Sequence, residues 1–277
     1  MANAILFPTD FSAPANNALR FVLPFAKKLQ ARIILMHAYT VPTPIMDAPF
    51  YAWEEEFKRQ EALVLQQLES IKETILKDHP ELVITSITSM GFPVPSILIA
   101  AEKHGTDWIV MGTKGASGLK KVFLGSVAAQ VIGRSKVPVL AIPETEELPE
   151  IHRIVYATNY ELSEIEALRR ITRLAERYDA EVLIAHVFVE DGSPPVERWE
   201  SFEAVVRAQI PYPKLSFKFV PHYELKEALA ELLNYTGAEI LAMCPQKRSL
   251  LDRLFHPSKT KAMAYQTRTP LLAIPEA

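Results

Sequence analysis

Two glycine-containing segments of this chain have the residue types and spacing to hold a phosphate. Gly112-Thr113-Lys114-Gly115 is separated by nine residues from Gly125-Ser126. Gly112 at a strand end lets the backbone bend or approach a ligand closely, and Gly115 and Gly118 keep the next turn free of Cβ atoms. Gly125-Ser126 precedes the apolar run Val127-Ala-Ala-Gln-Val-Ile132, so its amides and the Ser126 hydroxyl are expected at a helix start. Backbone N–H groups and the positive end of a helix favour phosphate oxygens there. Lys114, Lys120 and Lys121 add charge. The plainer alternative makes Gly112 a strand terminator, Gly125-Ser126 a cap and the lysines a solvated face.

Other residues suited to ligand contact stand at strand ends. The hydrophobic pattern reads as strands over 5–8, 33–37, 82–89, 108–112 and 137–142, with helices over 15–30, 54–77, 94–104 and around 127–133. Pro42, Pro44 and Pro49 make the stretch between residues 39 and 53 an irregular crossover. Apolar strands alternating with helices imply a parallel sheet covered on both faces. In such sheets small ligands bind beyond the carboxyl ends of the strands. Thr9-Asp10-Phe11-Ser12, His37-Ala38-Tyr39 and Gly112-Thr113-Lys114-Gly115 all fall at those ends.

The chain repeats itself. Gly105-Thr-Asp-Trp-Ile-Val-Met-Gly112 through Pro143 recurs without a gap as Gly237-Ala-Glu-Ile-Leu-Ala-Met-Cys244 through Pro275, an offset of 132 residues. Nearer the starts of the halves the offset is 149, pairing Thr9-Asp10 with Thr158-Asn159 and His37 with His186. The acidic segment from Glu144 to Glu150, interrupted by Pro149, reads as a linker. The 277 residues therefore divide into 1–143, a linker at 144–150, and 151–277.

Composition narrows the partners. A net charge of -3 argues against sequence-blind nucleic-acid binding. One cysteine, Cys244, excludes an intramolecular disulfide and a multi-cysteine metal array, and the scattered histidines suggest no metal set. The start carries no basic n-region, and no apolar run reaches membrane-spanning length. A cytoplasmic protein without a membrane partner is the expectation.

With Ile109-Val-Met111 before it and Val127-Ala128 and Pro138-Val-Leu-Ala-Ile142 after it, the pattern Gly112-x2-Gly115-x9-Gly125-Ser126 resembles the signature of the ATP-binding branch of universal stress proteins. The opening Ile5-Leu-Phe-Pro-Thr-Asp10-Phe-Ser12 is similar to that family too, and the repeat corresponds to its tandem form. The resemblance implies an α/β fold of two tandem open-sheet domains, each with a five-stranded parallel sheet of order 3-2-1-4-5 flanked by helices. It also implies one adenine nucleotide, ATP first among them, with Mg as its companion, on the first domain. By that pattern Asp10 lies near the adenosine part, and Ala38 and Tyr39 lie beside the base. Met111 and Gly112 follow the ribose side, Gly115 and Gly125 approach the phosphates through backbone, and Ser126 with Val127 opens the helix behind them. Asp10 reads equally as a helix cap before Pro14, and Tyr39 as a hydrophobic wall under the crossover.

The second half departs from the pattern. Asn159, Cys244, Lys247, Leu250 and Pro257 replace Asp10, Gly112, Gly115, Gly118 and Gly125, so a second site of the same kind is not expected. In the family the last strands commonly pair; here those are 137–142 and 271–274, and their pairing hides two sheet edges. A basic cluster, Lys247, Arg248, Arg253, His256, Lys259, Lys261 and Arg268, reads as a solvated face or as a site for another anion. Cys244 reads as a small buried filler. His37 and His186, at matching strand ends, are expected to share a structural hydrogen bond.

No P-loop lysine and no Gly-x-Gly-x-x-Gly after the first strand is found, and no catalytic base can be named. The leading expectation is an ATP-binding stress-response or regulatory module, acting as a homodimer or through a regulatory protein partner, and at most a weak ATPase. The alternatives are a slow ATP hydrolase or phosphate-transfer protein, and a structural interaction protein without nucleotide.

Overall fold

A computed structural model describes residues 3–40, 50–113, 124–145, 150–188, 196–222, 224–245 and 269–276. In the first half the elements run β1 (Ala4–Pro8), α1 (Ala13–Leu29), β2 (Arg32–Tyr39), α2 (Phe50–Asp78), β3 (Ile84–Met90), α3 (Pro93–Lys103), β4 (Trp108–Gly112), α4 (Ser126–Arg134) and β5 (Val139–Ile142). The second half continues with β6 (Arg153–Ala157), a short 3-10 turn (Leu162–Glu164), α5 (Ile165–Tyr178), β7 (Glu181–Phe188), α6 (Val196–Gln209), β8 (Leu215–Pro221), α7 (Leu225–Thr236), β9 (Ile240–Met243) and β10 (Leu271–Ala273).

All ten strands lie in one sheet, in the order β3-β2-β1-β4-β5-β10-β9-β6-β7-β8. Neighbours within each half are parallel, and β5 and β10 meet antiparallel, with Leu272 opposite Leu140. The pairing expected of the last strands is present, and it joins the two parallel halves into one mixed sheet of ten strands. The physical reason is edge pairing: the last strand of each half satisfies its open backbone groups on the other.

Strand alternation sorts the core onto two faces. Ile5 and Phe7 point to the face covered by α1, α2, α5 and α6, whereas Ala4 and Leu6 point to the face covered by α3, α4 and α7. Both sets are almost wholly buried, which is why these strands read as unbroken apolar runs. Burying one such side chain contributes about 1.5–3 kcal/mol.

The repeat extends to backbone conformations that sequence comparison cannot show. Phe11 and Tyr160, both after the first strand of their half, take φ of 61° and 51°. Gln30 and Asp179, which close α1 and α5, take 53° and 55°, and Gly105 and Gly237 take 56° and 65°. In each pair the left-handed conformation ends a helix or turns the chain out of a strand.

Candidate functional site

A cleft of about 180 Å³ opens at the carboxyl ends of β1, β2 and β4. It is lined by Pro8, Thr9, Asp10 and Ala15 from the β1–α1 connection, by His37 and Ala38 from β2, and by Pro93 and Ile97 from α3. Met111, Gly112 and Thr113 from β4 and Gly125, Ser126, Val127 and Ala128 from the start of α4 complete it. Of the residues singled out from the sequence, Asp10, Ala38, Met111, Gly112, Gly125, Ser126 and Val127 thus come together. Gly115, Lys114, Gly118, Lys120 and Lys121 lie outside the described residues, as does the basic cluster from Lys247 to Arg268.

Tyr39 is not among the lining residues. Adjacent strand residues face opposite sides; Ala38 packs with the α3/α4 face and Tyr39 with the α1/α2 face. Its hydroxyl is held above the usual 10.0 by partial burial and by the nearby Glu61 carboxylate. Of the expected pair, Ala38 is the one that lines the cleft.

Asp10 is not the helix cap either. Ser12 takes that position, its hydroxyl accepting from the Ala15 amide at 3.3 Å. Asp10 acts one step earlier: its Oδ1 accepts from the Ser12 amide at 3.1 Å and from the Ser12 hydroxyl. The carboxylate thereby holds the chain in an Asx turn at the rim of the cleft.

Gly125 supplies something other than a free amide. It is the N-cap of α4 with φ of -65° and ψ of 156°, a conformation open to any residue. Its N–H donates to the Thr113 carbonyl at 2.6 Å, tying the helix start to the end of β4. What glycine offers at this position is the absence of a side chain at the cleft wall. The helix's orphan donors are the next amides, those of Ser126, Val127 and Ala128, and all three residues line the cleft.

His37 belongs to one of the strand-end segments and is expected from the sequence to make a structural hydrogen bond. Its Nδ1 donates to the Thr9 carbonyl at 2.6 Å and its ring stacks on Phe11, with centroids 4.5 Å apart. In the second half His186 Nδ1 donates to the Thr158 carbonyl at 2.7 Å, beside Tyr160. The expected shared bond is present, and in the first half it also brings the imidazole into the cleft. Pro93 and Ile97 were missed by sequence reading; they carry no polar signal, and only the packing of α3 against the sheet brings them there. Thr113 is 3% exposed and was passed over beside its glycines.

The matching corner of the second half is built differently. Glu164 stands where the first half has Ala15, and it is 1% exposed. Its Oε2 accepts from the Tyr156 hydroxyl at 2.8 Å and the Thr158 hydroxyl at 2.9 Å, and its Oε1 from the Asn159 amide at 3.0 Å. Burial pushes this carboxyl above the usual range, while the bonds from Tyr156, Thr158 and Asn159 pull it back. Cys244, in place of Gly112, is a buried free thiol pushed from the usual 9.0 up to about 12 by burial and by the charges of Glu164 and Glu276. It is a core filler, as its sequence suggests, and thiolate chemistry is suppressed there.

Fold and cleft together define an α/β protein with a strand-end pocket closed by a helix N-terminus. Residues 1–143 match the universal stress protein family, and the chain belongs to that family. A universal stress protein of Methanocaldococcus jannaschii is 29% identical over 157 residues, taking in 51% of this chain and 95% of that protein. Another, from Thermus aquaticus, is 30% identical over 142 residues, with 51% and 99% covered. Over the whole length, a solved universal stress protein from Archaeoglobus fulgidus superposes with a TM-score of 0.70 at 22% identity, covering 99% of this chain and 97% of the other. At that identity the likeness speaks for the fold. No helix among the described residues is long and apolar enough to cross a membrane.

Proposed function

We propose that the first half binds one adenine nucleotide, ATP by its resemblance to the ATP-binding branch, and that the protein is a stress-response or regulatory module governed by that occupancy. The observation that carries this reading is the single cleft shared by Asp10, Ala38, Met111, Gly112 and the first turn of α4. Its chemistry suits the ligand from end to end. Ala38, Met111 and Ile97 give an apolar wall for a planar base, and the Asp10 carboxylate accepts from hydroxyl or amino donors. The amides of Ser126, Val127 and Ala128, at the positive end of α4, receive phosphate oxygens. Mg, in this reading, arrives with the phosphates.

The proposal is of binding alone, since the sequence names no catalytic base for turnover. The domain division at 144–150 and the assignment of the site to the first domain belong to the same proposal. Calorimetry with ATP on monodisperse protein tests it: one site per chain is expected, lost on Gly112→Lys and kept on Cys244→Ala. Two equivalent sites, or no binding by wild type, would sink it.

A further inference from the structure

We propose that the Glu164 carboxyl is a built-in occupant of the second half's strand-end corner, filling from within the space that the first half leaves open to a ligand. Three observations converge on it. The residue aligned with Glu164 is Ala15, which lines the first half's cleft. Two of the three groups that hold the carboxyl belong to Thr158 and Asn159, the counterparts of Thr9 and Asp10, which both line the cleft; the third belongs to Tyr156. Its charge is felt at Cys244, the counterpart of cleft-lining Gly112.

The exchange is paired. Where Ala15 becomes Glu164, Phe7 becomes Tyr156, and the added hydroxyl donates to the added carboxyl at 2.8 Å. The Tyr156 hydroxyl without Glu164 would lose the partner seen here, and the carboxyl gains a third donor beside Thr158 and Asn159. The carboxyl also sits against the start of α5, where a negative charge meets the positive helix end. Among the described residues this corner is not left empty. Here it holds an acid with three donors on its two oxygens.

The idea shares with the nucleotide reading the premise that the first half's cleft receives a ligand. Its test uses no nucleotide, so either can fail alone. Glu164→Ala should leave a carboxylate-shaped gap and lower the thermal midpoint by about 3 °C or more, as expected for orphaning buried donors in a chain of this size. Sodium formate should then restore part of the loss in a saturable way, by binding the native state, while sodium chloride at equal ionic strength should not. Wild type should respond equally to the two salts. If Glu164→Ala does not fold, the double variant Tyr156→Phe with Glu164→Ala, which restores the first-half pair, carries the test. It should fold, because no tyrosine hydroxyl is orphaned, and it should still prefer formate to chloride through Thr158 and Asn159. An unchanged midpoint in Glu164→Ala, equal recovery by the two salts, or a double variant that also fails to fold overturns the proposal.

Discussion

The two strand-end corners of this molecule begin with the same backbone and end with opposite chemistry. After β1 and after β6 a threonine is followed by a residue preceding a positive-φ aromatic, Phe11 or Tyr160, and a histidine donates to the threonine carbonyl. The first corner then presents Asp10, Ala15 and Gly112 to a cleft. The second buries Glu164 against Tyr156, Thr158 and Asn159 and fills the glycine position with Cys244. A fold can thus keep the scaffold of a site, down to its hydrogen bonds, while a few substitutions decide whether the site faces outward or inward. Scaffold and occupancy are separable because the scaffold is made of backbone conformation and one histidine bond to a backbone carbonyl, and the occupancy of other side chains.

The sharpest way to break the comparison is at the two aligned positions 112 and 244. Gly112→Lys should weaken ATP binding by about a hundredfold or more, since a side chain would enter the space where backbone approaches the ligand. Cys244→Ala should leave affinity within about twofold of wild type, well under 1.4 kcal/mol. Calorimetry, with circular dichroism confirming the fold, reads both. Gly125→Val should lower affinity about tenfold, roughly 1.4 kcal/mol, with little loss of stability, because its φ of -65° and ψ of 156° suit valine. A large fall in the thermal midpoint instead would mean that position 125 matters to the Thr113 tie and not to a ligand.

The second corner has its own signature in pH. The Cys244 thiol ordinarily titrates near 9.0 and is raised to about 12 by burial. A group whose folded value is raised contributes stability that is complete below its unfolded value and is lost as pH rises towards the folded one. Stability should therefore fall between pH 9 and about pH 12, by at most about 1.4 kcal/mol per pH unit from this thiol. Urea midpoints from pH 8.5 to 10.5 should show a shallower fall in Cys244→Ala than in wild type; parallel curves would remove the thiol from the account. Smaller again, Ser12→Ala should cost about 1 kcal/mol through loss of the α1 cap. Asp10→Asn, the residue found at 159, should keep the turn to Ser12 and yet reduce ATP affinity a fewfold. Equal affinity in that variant would show that Asp10 serves the turn alone.

Much of this architecture was legible in the residues themselves, and the reasons are physical. Strands buried on both faces must be apolar throughout, so β1, β2, β4 and β5 stand out as runs, and the matched helices are fixed by their three-to-four spacing. The repeat at offsets of 132 and 149 predicted that the halves would be alike, and the paired φ values follow from it. That the side chains of Ala38 and Tyr39 pack on different faces of the sheet was legible too, since strand residues alternate. Likewise the joint change of Phe7 to Tyr156 and Ala15 to Glu164 was present as a signal: two apolar positions turned polar at one offset.

What the chain by itself determined, then, is its periodicity: which segments are strands, which helices, that the second half copies the first, and that the glycines cluster at strand ends. Only the tertiary structure decided which polar groups those ends leave available. The Gly125 amide is taken by Thr113, the α1 cap falls to Ser12, and Glu164 turns inward. Periodicity is local, written in residues a few positions apart, whereas a hydrogen bond is satisfied by whichever partner lies within about 3 Å, and the chain brings that partner from an arbitrary distance along the sequence.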